Sequence, residues 1–484
     1  MPAASHGRLA SPAPVSPEFV VRRSRGKDAR TRAPRAAQGP WSPPADRIDP
    51  ITLFEEQASS RVAELVPLRH ARMAQSEFAF FRGSALLMAS DLATAPHSGV
   101  IVQLCGDAHL SNFGLFGTPE RQLLFDINDF DETFPGPFEW DVKRLAASFA
   151  VAGRQRGFDA SEIRACVTAA VHGYRVAMNR AADAPVLDAW YERFDEESAR
   201  RRVRAERRRE RADDATVDRL DAALRKARTR DRFRSFARLV GVVDGQLRIL
   251  ADPPEIVPVE DLLATSDRDG AEASLMRELL DEYGRTLPGD RHPLAEYRYR
   301  HMARKVVGVG SVGTRAWVIL LSGRDDSDPL LLQAKEAQPS VLERFLGPSA
   351  SANGGERVVR GQRLMQASSD LFLGWQRLRG QDGRTRDFYV RQLQDWKGGI
   401  DAETMKPRGA ALYARVCGET LARAHARSGD RLEVAGYLGR GRRFERAVVA
   451  FAETYAVQNA EDHRAFVAAM RSGRLSAPPP EARR

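Results

Sequence analysis

Apolar positions along the chain follow two patterns, and the switches between them divide it. Residues 100–104 form an apolar run that stops at Cys105-Gly-Asp107, and Leu123-Leu-Phe125 stops at Asp126-Ile-Asn-Asp129. Short unbroken runs bounded by Gly, Asn and Asp predict buried strands that end in acidic loops. The spacing then turns to three and four. Val142, Leu145, Ala146, Phe149 and Ala150, followed by Ile163, Cys166, Val167, Ala170, Val171 and Tyr174, each mark one face of a helix. From Lys305 the pattern is strand-like again, with Ala316-Trp-Val-Ile-Leu-Leu321, Leu330-Leu-Leu332 and Phe388-Tyr-Val390. Two helical stripes close the chain, one through Tyr413, Val416, Cys417, Thr420, Leu421 and Ala424, the other through Phe444, Ala447, Val448, Phe451 and Tyr455.

These switches predict an α+β chain in five segments: a disordered basic tail over 1–45, a helical catalytic lobe over 46–190 and a charged helical insertion over 191–236. A β-rich lobe with its hinge occupies 237–400, and C-terminal helices over 401–484 pack back on the helical lobe. The tail is rich in Pro, Ala, Ser and Arg, too apolar-poor to offset its ordering entropy.

Charge changes this picture little. Of the net +10, the first 45 residues supply +6, because eight Lys/Arg face two acids there, and the body is only mildly basic. Residues 192–234 interleave Arg200-Arg-Arg202 and Arg207-Arg-Arg209 with acids, which predicts a solvated helix face with i,i+4 ion pairs rather than a nucleic-acid surface. Cys105, Cys166 and Cys417 are far apart with no CxxC pair, and no stretch is apolar enough to span a membrane. A cytoplasmic setting is expected.

Three motifs carry candidate chemistry. Gly106-Asp-Ala-His-Leu-Ser-Asn-Phe-Gly114 places Asp107 and Asn112 five residues apart after a strand, where a carboxylate can meet a substrate hydroxyl while an amide oxygen holds a metal. Phe125-Asp-Ile-Asn-Asp-Phe-Asp-Glu132 packs four acids into seven residues, a concentration that is costly without a cation. An acidic calcium-type or hairpin loop with Asp and Asn as turn formers is the bland alternative. Gly308-Val-Gly-Ser-Val-Gly313 fits G-x-G-x-x-G, with Gly308, Gly310, Ser311 and Gly313 as candidate phosphate-loop residues. The run Trp317-Val-Ile-Leu-Leu321 beyond these glycines is β-prone rather than helical, so strand–turn–strand is expected, not a dinucleotide fold.

The two acidic loops together resemble the catalytic and metal loops of kinase-like phosphotransferases, particularly the aminoglycoside and choline kinase branch. The resemblance implies Asp107 as catalytic base with His109 in support, Asn112 and Asp129 as metal ligands with Asp126 as a rival, and ATP with Mg2+ as cofactors. It implies Lys335 as the lysine gripping phosphates, Glu356 as its orienting acid with Glu343 competing, Asp141 as a structural acid, and residues 388–395 as last strand and hinge. Cys105 stands where those kinases usually place His.

The order is rotated, with base and metal loops ahead of glycines and lysine. A helix ending at His425 also resembles the one that leads into a catalytic loop, although the segment Ala426-Arg-Ser-Gly-Asp430 after it lacks the Asn. Were that helix to lie beside the strand entering Asp107, the chain would be a circularly permuted, two-lobed protein-kinase-like fold. The runs Phe80-Phe-Arg-Gly83, Cys105-Gly-Asp-Ala-His109, Asn128-Asp-Phe-Asp-Glu-Thr133, Glu139-Trp-Asp-Val-Lys-Arg-Leu145, Lys305-Val-Val-Gly-Val-Gly-Ser-Val-Gly313 and Lys335-Glu-Ala337 further resemble the bacterial domain-of-unknown-function family 2252, which implies no activity. Phosphoryl or nucleotidyl transfer from ATP to a small-molecule or protein hydroxyl is the expectation. A metal-dependent phosphoesterase using Asp107, His109, Asp126 and Asp129, or a nucleotide- or nucleic-acid-binding scaffold, are the alternatives.

Overall fold

The computed structural model describes residues 16–208, 221–222, 224–225, 228, 232–262, 279–289, 291–379, 383–393 and 405–477. The architecture is mixed α+β: a helical body with three two-stranded ribbons and a separate six-stranded antiparallel sheet.

The body opens with α1 (Pro17–Arg32), α2 (Pro50–Ser59), α3 (Val66–Ala74), α4 (Glu77–Gly83) and α5 (Ala85–Ala93). Strand β1 (Ile101–Leu104) comes next, then the hairpin β2 (Phe113–Gly117) and β3 (Leu123–Ile127), and β4 (Phe134–Pro137), which returns to pair with β1. After them stand α6 (Glu139–Gln155), α7 (Ala160–Asp183), α8 (Val186–Tyr191), α9 (Glu196–Arg208) and α10 (Arg232–Leu239). The strands β5 (Val240–Val243) and β6 (Gln246–Ile249) form another ribbon.

The large sheet holds β7 (Ile256–Pro258), β8 (Arg298–Lys305), β9 (Ala316–Ser322), β10 (Pro329–Glu336), β11 (Gly374–Arg379) and β12 (Thr385–Gln392) in the order β11-β12-β10-β9-β8-β7. Between β10 and β11 lies α11 (Gly354–Met365), and the chain ends in α12 (Pro407–Ser428), α13 (Arg431–Leu438) and α14 (Arg443–Arg471). Both faces of the sheet are covered. Ile319, Leu321, Leu330 and Leu332 pack into one cluster, while Val318, Leu320 and Leu331 pack into another on the opposite face. Period-two alternation between two buried faces explains why β9 and β10 read as unbroken apolar runs.

In the body, α6, α7, α12 and α14 share one core with the β1–β4 and β2–β3 ribbons; Phe138, Tyr174, Tyr413, Leu421 and Phe451 lie within it, while the β5–β6 ribbon packs on the large sheet. Gly418 sits against Ala170, where an added Cβ would lie 1.9 Å from the carbonyl oxygen, so α7 and α12 approach backbone to backbone.

The basic tail is the main correction. Its residues from Pro17 onward do not remain disordered: α1 docks on α13 through a glycine contact, Gly26 against Gly436. Its arginines act as donors rather than as loose charge. Arg30 Nε reaches Tyr437 O at 3.0 Å, its Nη2 bonds Gly436 O, and Arg35 Nη1 reaches Leu438 O at 2.8 Å. These are the carbonyls that a helix C-terminus leaves unsatisfied. Composition alone could not show that the partner of a basic segment is a helix end four hundred residues away.

Candidate active site

The acidic loops are assembled by the ribbons. Gly106, with φ +82°, turns the chain at the end of β1, and a Cβ there would lie 2.2 Å from Glu132 O, so glycine is required where the two loops touch. Asp141, at the start of α6, accepts from Cys105 N at 2.8 Å and Gly106 N at 3.1 Å and holds the turn. His425 of α12 reaches Asp141 Oδ2 with Nε2 at 3.2 Å, and Ser428 Oγ lies 3.4 Å from Gln103 O. The helix carrying His425 therefore does lie beside the strand entering Asp107. His425, although the segment after it lacks the Asn, supplies a brace to the loop that Cys105 cannot.

Asp107 itself is gripped by Arg144, whose Nε lies 2.5 Å from Oδ1 and whose Nη2 donates to Phe81 O at 2.9 Å. Burial raises the Asp107 carboxyl above its usual range; Arg144 opposes that rise and Asp129 reinforces it. His109 lies with Nε2 3.7 Å from Asp107 Oδ2 and accepts from Ser111 N through Nδ1 at 3.2 Å. Burial, with Arg82 and Arg144 nearby, pushes its pKa well below the ordinary value, so it is a neutral bracing imidazole.

The β2–β3 hairpin places the metal candidates side by side. Asn112 precedes β2, Asn128 comes directly after β3, and Asn128 N donates to Asn112 O at 2.9 Å. The Asn112 amide donates through Nδ2 to Asp107 O at 2.7 Å. Asp129 faces the same cleft with its side chain 35% exposed. Asp126 does not: β3 runs to Ile127, so Asp126 lies inside the strand, buried, accepting from Ile127 N at 2.9 Å and Ala367 N at 3.0 Å. Its place as rival metal ligand, and with it the carboxylate set of the phosphoesterase alternative, is not what forms. Among the described residues, no three His, Cys, Asp or Glu side chains converge into a metal cage.

The lysine and glycines arrive from the sheet. Lys335 Nζ lies 2.5 Å from Asp131 Oδ2 and 4.0 Å from Asp129 Oδ1. Asp131 also accepts from Tyr389 Oη at 2.5 Å and Ser311 Oγ at 3.1 Å. Burial opposes the charge on Lys335, but Asp131, Tyr389 and Asp129 outweigh it and raise the ammonium pKa; burial would raise Asp131, yet Lys335 and the Tyr389 hydroxyl hold it down near about 2. Residues 308–313 form the turn between β8 and β9, with positive φ at Gly308 and Gly313, and Gly310 would place a Cβ 3.1 Å from Arg82 O.

The lysine's acid is corrected by this arrangement. Glu356 pairs with Arg360 at 2.6 Å, and Glu343 receives Ser340 N at 2.9 Å, so neither orients Lys335. The helix α11 offers a cation instead: Arg357 donates to the carbonyls of Thr133 at 2.6 Å and of Asp131 and Gln338 at 2.9 Å. Sequence reasoning passed over Asp131, Tyr389, Arg144 and Arg357. Asp131 had a visible signal, as the second acid of Asp129-Phe-Asp131.

The hinge expectation is also narrowed. Strand β12 is paired on both sides, and Gln392 N and Leu393 N are bound to Asp370 Oδ2 at 2.5 Å and Leu331 O at 2.9 Å. Backbone through residue 393 therefore has no amide to offer a base, and 394–404 lie outside the described residues. Three arginines of the Arg-rich helix α9 are paired within the chain, through Arg200–Glu196 at 2.9 Å, Arg201–Glu197 at 2.5 Å and Arg202 on buried Glu419 at 2.6 Å.

Asp107, His109, Asn112, Asp129, Asp131, Gly308, Gly310 and Ser311 thus border one cleft of about 930 Å³, with Lys335 directly behind Asp131; Glu356 and Asp126 are outside it. Among the described residues no helix is long and apolar enough to cross a membrane. Residues 61–469 match the family model described as an uncharacterized protein conserved in bacteria (DUF2252), and the chain belongs to that family. No curated protein and no solved structure matches it.

Proposed function

We propose that this DUF2252 protein is a magnesium-dependent, ATP-using phosphotransferase with a two-lobed, circularly permuted kinase-like arrangement. The observation that carries the reading is the meeting of Asp129 and Asp131 with Lys335, more than two hundred residues away, beneath a glycine turn that touches Asp131 through Ser311. The adjacency of α12 to β1 supports the rotated order.

The donor set fits a hard cation. Asn112, with its amide nitrogen committed to Asp107 O, keeps an oxygen for a metal, and Asp129 adds a partly exposed carboxylate. One or two protein oxygens completed by phosphate and water is how Mg2+ is commonly held at nucleotide sites, and the ion would neutralise charge between phosphates. Asp107, placed by Arg144 and with its pKa raised by burial, orients the acceptor hydroxyl and takes its proton. Lys335 holds phosphate oxygens, exchanging Asp131 for them. The acceptor is a small-molecule or protein hydroxyl, and transfer is phosphoryl or nucleotidyl. Because Arg200, Arg201 and Arg202 are paired within the chain, an enzyme, expected in the cytoplasm, is favoured over a nucleic-acid scaffold.

The test is thermal stabilisation by ATP with and without Mg2+, in wild type, Asp129→Asn and Lys335→Ala. Magnesium-dependent stabilisation that both variants lose is expected. An ATP response unaltered in both would overturn the assignment.

A further inference from the structure

Two arginines beside the cleft form no ion pair among the described residues, although Glu132, Glu336 and Asp131 lie near enough to favour the charge on Arg61. Arg69, on α3, has no exposed surface; its Nη2 donates to Gln57 Oε1 at 2.6 Å and Gly83 O at 3.0 Å, while Nε and Nη1 are buried without a partner. The charge that acts on it is another cation, Arg61, which opposes it. Arg61 borders the cleft and donates through Nη1 to Val312 O at 2.5 Å; its Nε too is buried and unpartnered. Among the described residues neither arginine forms an ion pair. Arg61 lines the cleft itself, its stem 3.0 Å from where a Cβ on Gly313 would sit, while Arg69 lies behind the wall against Gln57 and Gly83, which do line it.

A guanidinium does not shed its proton in a protein, so burial of this pair cannot be relieved by neutralisation. Neighbouring carboxylates meet the other cations of this cleft, such as Lys335 and Arg144. Here the fold keeps two positive groups together near the glycine turn and leaves the Nε of each and the Nη1 of Arg69 without a partner, an arrangement that an oxyanion at Arg61 completes with charge-assisted bonds.

We propose that Arg61, backed by Arg69, forms a phosphate-binding subsite on the α2–α3 wall of the cleft, beneath the glycine turn. The phosphoryl group comes either from the nucleotide tail or from a phosphorylated acceptor. The inference rests on the cleft being the phosphotransfer site, and it adds an anion requirement that the motifs did not contain.

The experiment measures binding of tripolyphosphate without magnesium, and of orthophosphate to the protein saturated with ATP and Mg2+, by calorimetry on the full chain. Arg61→Ala should weaken the anion by about tenfold or more, with Arg61→Lys recovering part of it. Arg69→Met should weaken tripolyphosphate without lowering the melting temperature of the anion-free protein, a combination that a purely structural role would not give. Loss of ATP affinity exceeding loss of ADP affinity in Arg61→Ala assigns the subsite to the nucleotide tail. Loss of orthophosphate binding with ATP affinity intact assigns it to the acceptor. An Arg61→Ala protein that folds normally and binds both anions as wild type does overturns the subsite. If Asp129→Asn and Lys335→Ala leave the ATP response unchanged while Arg61→Ala loses tripolyphosphate, the subsite stands and the phosphotransfer reading falls.

Discussion

Replacing Asp131 by Asn removes the carboxylate on which Lys335, Tyr389 and Ser311 converge. The Lys335 side chain is 4% exposed, so the substitution leaves a buried ammonium whose next carboxylate, Asp129, is 4.0 Å away. Breaking one side of a buried pair costs about 3–5 kcal/mol, and Asp129 offsets part of that. Proton linkage gives a second route. Asp131 is held near about 2 against an ordinary 3.8, which at 1.36 kcal/mol per unit corresponds to about 2 kcal/mol. The two routes bracket the loss at about 2–4 kcal/mol.

The sign is fixed as well. A depressed carboxylate contributes stability that is fully present above its unfolded pKa and disappears as pH falls from 3.8 towards about 2, so wild type should lose this increment there and Asp131→Asn should not. Urea unfolding at pH 7 and across the acid range reads both quantities. A double-mutant cycle with Lys335→Met should return a coupling of about 2 kcal/mol. A loss under about 1 kcal/mol, the scale of an exposed pair, together with no coupling would refute the idea that the lysine and the acid loop form one buried unit.

The turn at Asp107 sets two further outcomes. Asp141→Ala orphans the buried amides of Cys105 and Gly106 and should cost about 2–6 kcal/mol in urea unfolding, at about 1–3 kcal/mol per buried donor. Burial lifts the Asp107 carboxyl above its ordinary value, so turnover dependent on it as base should fall with decreasing pH along a limb lying above about 4, read from a pH–rate profile; a limb at or below that value would remove Asp107 from the role.

Much of the scaffold was legible because it rests on local periodicity. The runs before Asp107 and at Leu123 do form strands, the stripes through Val142 and Ile163 are α6 and α7, and the glycines do link two strands. The features that escaped depend on long-range pairing. Nothing near Lys335 in sequence marks Asp131 as its partner, whereas Glu356 sat at the expected distance on the expected helix and turned instead to Arg360 at 2.6 Å. Asp126 looked like a loop acid because the apolar run ends at Phe125, but the ladder Phe113↔Ile127 extends the strand two residues further and takes its carboxylate inward. The basic segment from Pro17 to residue 45 folds for a related reason, and residues 1–15 lie outside the described residues. Arginine counts as polar in any composition argument, yet here its donors terminate α13, and a glycine pair lets the helices touch.

The central claim is that Asn112 and Asp129 hold a divalent ion only together with nucleotide phosphates. Electron paramagnetic resonance of Mn2+ in place of Mg2+ tests this directly, by the loss of the free-ion signal when protein and ATP are both present. The account predicts a loss beyond that caused by ATP alone for wild type and for Asp126→Asn, and no such additional loss for Asp129→Asn. A free-ion signal unaffected by wild-type protein beyond the effect of ATP alone, or one lost equally with Asp129→Asn, would contradict it.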